Sequence, residues 1–331
     1  MNKRGQVTIF IIIAVVIVAA VGIYFVVRGT SGGPSLPASI EPVYETFVSC
    51  LEEDVKIGIS VLESQGGYIE LPEFDPGSPY MPFSSHLDFL GNPVPYWYYV
   101  SGNNIEKENV PSVGDMESQL EDFVEDKVKT CFFEKYYDDG FEIISGEPEA
   151  DVTIRGSEVE GEVSMDFFVE RAEDKAVVRN HEVVIKSELG NLYKSAKKIY
   201  DLEQKELFLE DRAIDALRLY APVDGVELTC SPLTWNAEEV FTEVRAAVES
   251  NTLALKSKGG DFSLNNKNNK YFVLDLDVEE NVMFLTSMNW TYTMNVGPID
   301  GSVLIAKPVG NQPGMGILGF CYVPYHFVYD L

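Results

Sequence analysis

The chain has 331 residues, 45% of them hydrophobic, which is apolar material for one large domain or two ordinary ones and too much for a disordered chain. Its 25 Lys and Arg face 53 Asp and Glu, a formal net charge of −28 at pH 7. None of those acids falls in residues 1–28, so the remainder holds 22 basic against 53 acidic groups, a net of −31. A body that acidic repels phosphate backbones and anionic headgroups, which argues against nucleic acid as a partner.

Lys3 and Arg4 open the chain, and residues 7–27 follow without a charge and rich in Val, Ile and Ala. At about 1.5 Å per residue this run spans a hydrocarbon core of about 30 Å. A cleaved secretory leader has a shorter apolar region that ends at an A-x-A-like site. Here Ala19-Ala20-Val21-Gly22 leads into more apolar residues, so 1–28 reads as a retained membrane anchor that meets lipid through residues 7–27. Lys3 and Arg4 are opposed only by Arg28, a balance that predicts a single-pass protein with its N-terminus inside and its body extracytoplasmic.

Lys3-Arg4-Gly5-Gln6-Val7-Thr8, followed at once by the apolar run, resembles the class III signal segment of archaeal type IV pilins and archaellins. The resemblance implies cleavage after Gly5 by a prepilin peptidase, Gln6 as the mature first residue, and a hydrophobic helix that forms a filament core. It covers under a tenth of the chain, and Phe10 stands where that family usually has a Glu. The same opening is similar to the anchors of many archaeal membrane proteins, which implies a location and no activity.

Residues 29–39 form a Gly/Ser/Pro tether. A helix is predicted over 41–64, where Phe47, Leu51, Val55, Gly58 and Leu62 share a stripe with Cys50 beside it. Six prolines between 68 and 110 forbid a long helix there, and 96–100 is the clearest strand. A second helix is predicted over 114–137, with Met116, Leu120, Phe123, Val124, Val128, Cys131 and Phe132 on one face. The period then changes to two: Val159, Gly161, Val163, Met165, Phe167 and Val169 alternate with polar residues, Phe168 excepted, as in an antiparallel strand with one acidic wet face. Val152, Ile154, Val183 and Ile185 supply its neighbours, with a hairpin near Glu173. One long helix is predicted over 188–220 and another from Asn236 to about 255, capped by Thr234 or Asn236. Strands follow over 271–279, 283–295, 302–308 and 321–329. The expected fold is therefore α+β: a membrane anchor, a linker, a first α+β region over 40–187 and a second over 188–331. The apolar, strand-like end at Asp330 and Leu331 reads as trimmed from something longer.

Cys50, Cys131, Cys230 and Cys321 contain no C-x-x-C pair, and the histidines are only His86, His181 and His326, so closely spaced zinc ligands are missing. An oxidising exterior favours two disulfides over four buried thiols. Three connectivities are open. The similar placement of Cys50 and Cys131 on two amphipathic helices points to that pair, with Cys230–Cys321 in the C-terminal half. No G-x-S-x-G, H-E-x-x-H, Walker or G-x-G-x-x-G motif is present, and no catalytic, cofactor-binding or metal-binding residue is assigned.

Asp275-Leu276-Asp277 resembles the D-x-D of metal-dependent glycosyl transfer, yet its alternation with Phe272, Leu274, Leu276 and Val278 places both acids on the polar side of a half-buried strand. Asn289-Trp290-Thr291 is a glycosylation sequon. The aromatic run at Tyr96-Trp97-Tyr98-Tyr99 suits either a stacking platform or a core strand. Lys194, Lys197 and Lys198 suit a solvated face or partners for the chain's own acids. The expectation is a non-enzymatic cell-envelope protein with a structural or interaction role and protein partners or self-association at the cell surface. A pilin-like filament subunit and an anchored envelope hydrolase are the alternatives.

Overall fold

The computed structural model describes residues 36–74, 84–100, 105–257, 272–274, 276–286, 294–310 and 321–330. The expected anchor and the Gly5/Gln6 junction lie outside these. Among the described residues no helix is long and apolar enough to cross a membrane. The described chain is α+β, with six helices and sheets that are antiparallel apart from one two-residue parallel pairing. It forms two compact units that interleave in sequence, where composition alone suggests a single boundary at 187/188. Residues 36–55, 124–151 and 161–183 make the first, and 56–123, 152–160 and 184–330 the second.

Helix α1, Glu41–Ser64, follows its predicted stripe: Phe47, Leu51, Val55, Gly58 and Leu62 are all buried, and Val43 extends the row toward the N-terminus. Helix α2, Val113–Val128, begins at a reciprocal capping box. The Asp115 N–H donates to Ser112 Oγ (3.1 Å), while the Asp115 carboxylate accepts from the Ser112 amide and hydroxyl. Those bonds favour the ionised carboxylate and lower its pKa. Met116, Leu120, Val124 and Val128 line the buried face. Gly58 is where α1 comes closest to Leu120, since an added Cβ would stand 2.3 Å from Leu120 Cδ1.

The second predicted helix does not run on to 137. The Thr130 hydroxyl and amide both bond to the Lys127 carbonyl, the chain turns, and a five-residue helix α3, Glu134–Asp138, follows. That turn shifts the phase by one residue. Phe132, expected inside, is 71% exposed, and Phe133 is buried in its place, 5.6 Å from Phe167.

One sheet carries the long alternation. Its strands are β1, Glu142–Ser145; β2, Glu149–Ile154; β3, Glu158–Arg171; and β4, Asp174–Lys186. β3 pairs with all three others, and β1 runs antiparallel to its last turns of pleat, Glu142 opposite Glu170. All six residues of the predicted apolar row in β3 are buried. A two-residue link, Ala172-Glu173, joins β3 to β4, with Ala172 at φ 55. On β4 the buried residues are Val178, His181, Val183 and Ile185, so the alternation slips by one residue at Arg179-Asn180. His181 stands in phase with Val183 and Ile185, and Val178 is the residue that falls out of step.

The outer edge of β2 is closed by carboxylates. Glu117, Glu121 and Glu125 of α2 accept from the amides of Ile154, Val152 and Ala150 at 2.8, 3.0 and 2.9 Å. Four helical residues rise about 6 Å and two strand residues about 6.6 Å, so the two repeats keep step over three contacts. An open sheet edge is an aggregation hazard, and this row of acids saturates its donors.

Past the sheet, the long predicted helix is two: α4, Leu189–Glu206, and α5, Phe208–Tyr220, broken at Leu207, which is left-handed at φ 53. Helix α6, Ala237–Leu253, starts at Asn236, whose side chain accepts from the amides of Glu238 and Glu239. Its residues Ala237, Val240 and Val244 pack with Leu304 and Phe327 into a second core, edged by Trp235 and Tyr325. The strands around that core are short and pair two at a time: Leu233–Asn236 with Val303–Ala306, Asp224–Glu227 with Val323–His326, and Asn295–Gly297 with Val328–Asp330. Only Phe272–Val273 of the strand predicted at 271–279 is extended pairing, yet Leu276 and Val278 are buried and Asp277 exposed, as the alternation required.

Candidate functional site

Cys50 is bonded to Cys131 (Cα–Cα 6.0 Å) and Cys230 to Cys321 (4.8 Å), leaving no free cysteine. The bonds bridge 81 and 91 positions, so each fastens distant segments. Asp54 Oδ2 lies 3.8 Å from Cys50 Sγ, and since a disulfide sulfur has no proton to donate this is a contact, not a hydrogen bond. Burial raises the Asp54 pKa, with Lys127 opposing and Glu53 adding to the rise. Cys50, Cys131 and Asp54 lie close enough to share an ion, but the disulfide removes both thiolates that a metal would need.

His181 on β4 has no exposure at all. His181 Nε2 lies 2.9 Å from the Met165 carbonyl and Nδ1 3.2 Å from the Tyr44 hydroxyl, within a cluster of Phe47 and Phe167. A neutral ring with Nε2–H donating to Met165 and Nδ1 accepting from Tyr44 satisfies both partners. Burial lowers its pKa, against the opposing pull of the Met165 carbonyl. Its role is structural.

At the α4–α5 elbow, both Glu203 carboxyl oxygens accept from the Leu209 amide (3.3 and 3.2 Å), and the side chain also bonds to Glu210. Two carboxyls bond to one another only when one keeps its proton. Burial, and then that bond, push Glu203 up to about 8. Nearby, the Tyr200 hydroxyl donates to Glu108 (2.9 Å), and Tyr98 meets Glu106 and the field of Glu210. Burial and these acids raise both phenols. The cluster stores a proton at neutral pH. Sequence periodicity held no signal for it: on an unbroken helix residues seven apart stand about 10 Å apart, and the break at Leu207 brings these two together.

Among the described residues, two of the clefts are large enough for small molecules. The larger, about 570 Å³, lies along α6 between Glu238, Phe241, Arg245, Met294 and Ile299. The smaller, about 430 Å³, lies between the β2–β3 turn and the first turns of α4. Neither is lined by a pair of carboxylates, so the Glu203–Glu210 pair faces neither, and the hydrolase alternative gains no cleft with paired acids from them.

The aromatic run is taken up by the chain's own packing. Tyr99 is buried, the Trp97 indole N–H donates to the Gly66 carbonyl (2.9 Å), and the Trp97 ring meets Tyr200 edge-on at 5.8 Å. Upstream, the Tyr68 hydroxyl donates to the Asn109 carbonyl. Of the lysine cluster, Lys197 pairs with Asp201 and Lys198 with Asp277 (2.7 Å), which also lowers the Asp277 pKa. Asp277 is thereby an exposed ion-pair partner, while Asp275, Asn289, Gly5 and Gln6 lie outside the described residues. No protein-family model matches the chain, and neither a curated protein nor a solved structure matches it.

Proposed function

We propose that this is a membrane-anchored protein whose acidic body stands outside the cell membrane and serves a structural or protein-interaction role in the envelope. The observation that carries the reading is the pair of disulfides, which engage all four cysteines and close long loops. Such bonds persist in oxidising surroundings and are rare where thiols are kept reduced. The uncharged run at residues 7–27, flanked by Lys3, Arg4 and Arg28, supports the anchor and its direction. The excess of acid supports a hydrated, self-repelling surface domain.

Protease added to intact cells tests the topology. The expected result is digestion of the body without lysis and recovery of Cys50–Cys131 and Cys230–Cys321 peptides under non-reducing conditions. A body protected until lysis, with four alkylatable thiols, overturns the reading. A pilin-like filament subunit is the second reading, supported by Lys3-Arg4-Gly5-Gln6 directly before the apolar run. Sequencing the mature N-terminus separates the two: Gln6 favours processing and assembly, Met1 favours the plain anchor.

A further inference from the structure

The smaller cleft reverses the charge balance of the molecule. Among the nine residues that line it, Arg155, Lys194 and Lys197 are cationic and none is acidic, in a chain of 53 acids and 25 bases. Val113, Ile154 and Tyr193 supply apolar wall. The frame is fixed by backbone bonds: Arg155 N–H to the Glu158 carbonyl (2.8 Å) and Asn191 N–H to the Gly156 carbonyl (3.0 Å). The Tyr193 hydroxyl is tied to the Pro111 carbonyl (2.6 Å). Two glycines make this approach possible, since a Cβ at Gly190 would stand 2.1 Å from the Arg155 carbonyl oxygen and one at Gly156 2.7 Å from Asn191 Oδ1.

The three cations differ in how they are held. Arg155 is steered by Glu158 (3.6 Å) and Glu160 (2.5 Å), and Lys197 by Asp201. Lys194 has no acid or hydrogen-bond partner among the described residues. It sits one turn from Lys197 on α4, a like-charge spacing that costs stability until an anion lies between them. The positive end of the α4 dipole adds to the same field.

We propose that this cleft binds a small organic anion: a carboxylate or phosphate group among Lys194, Lys197 and Arg155, with a ring or short hydrocarbon against Val113, Ile154 and Tyr193. The volume suits a small molecule, within the usual range of about 300–1,000 Å³. Arg155 and Lys197 are already ion-paired with Glu158, Glu160 and Asp201, and Glu188 bonds to the lining Asn191 at 2.6 Å, so Lys194 supplies the uncompensated charge that an anion meets. A polyanion also meets Glu158, Glu160 and Asp201 at the rim and is repelled.

Calorimetric titration of the detergent-solubilised full chain with phenyl phosphate and benzoate tests this, with benzyl alcohol as the neutral control. Saturable binding of at least one anion is expected, weakened about fivefold or more in Lys194→Met. It should weaken again when ionic strength rises from about 0.05 to about 0.5 M. Lys194 is exposed, so the variant keeps the fold, and Lys129→Met controls for net charge at a site remote in sequence. The proposal is overturned by equal binding of benzyl alcohol, by an unchanged Kd in Lys194→Met, or by no saturable binding of either anion. Tighter binding of a short Asp/Glu peptide than of phenyl phosphate overturns it too, and assigns the cleft to a protein partner.

Discussion

In the first unit, Phe47 of α1 stacks on Phe167 at 4.5 Å, and the β3–β4 hairpin is extended over residues 161–183 apart from its two-residue link. In the second, the strands around α6 are three or four residues long and pair two at a time. Each unit carries one disulfide, but the neighbours of the two bonds differ. Cys50 sits on a helix whose own stripe is already buried, whereas Cys321 leads into Val323–His326, which meets a single four-residue partner strand. Two-stranded pairs of that length are marginal without an added constraint. A crosslink therefore reinforces the first unit and helps to define the second.

Removing the bonds is the strongest way to break this contrast. Loop-closure entropy for about 80–90 residues makes either bond worth about 4–5 kcal/mol. Cys230→Ser with Cys321→Ser should abolish hydrogen-exchange protection in the strands at 224–227 and 323–326. Cys50→Ser with Cys131→Ser should lower Tm while the β3–β4 hairpin stays protected. Equal loss of protection in both variants would erase the distinction.

The carboxylate row on β2 sharpens it next. Replacing Glu117, Glu121 and Glu125 by Ala together should cost about 3–6 kcal/mol, roughly 1–2 for each amide left without its acceptor. It should also uncover a strand edge, seen as larger species in size-exclusion chromatography. The triple Gln variant keeps an acceptor at each position and should lose less, with no assembly. Both variants remaining monomeric and equally stable would show that water serves the edge as well.

The units should also answer pH in opposite directions. His181 has a lowered pKa in the fold, so the unfolded chain takes up its proton first. Its contribution to stability is complete above about pH 6.5 and is lost as pH falls below that value. Glu203 is raised to about 8, so the folded chain holds the extra proton; that contribution is complete below the ordinary carboxyl range and is lost as pH rises toward 8. Exchange protection in β4 should weaken on acidification, and that of α5 on alkalinisation. Glu203→Gln should flatten the second response and leave the first. The smallest expected effect is at the α6 cap, where Asn236→Ala should cost about 1 kcal/mol by urea denaturation because two amides lose their acceptor.

How far the sequence could be read depended on period. The rows Phe47, Leu51, Val55, Leu62 and Val159 through Val169 were legible because each repeats with the pitch of its element. Phe132 and the break at Leu207 were not, because a one-residue turn or a single left-handed φ interrupts a pattern that continues on both sides of it. The same holds for Val178, which falls out of step with His181, Val183 and Ile185 at Arg179-Asn180. The small cleft was invisible for another reason. Arg155 lies on a strand turn and Lys194 on a helix, and no linear spacing joins them.

By itself, then, the sequence determined the acidic character of the body, the uncharged run at 7–27, four cysteines without zinc spacing, and the elements whose faces repeat regularly. Those are properties of composition and local period, which any chain displays before it folds. The tertiary structure decided which acids become hydrogen-bond acceptors, which carboxyl keeps a proton, which histidine is buried and which three cations meet. Those depend on distances between residues far apart in the chain, and only packing sets such distances.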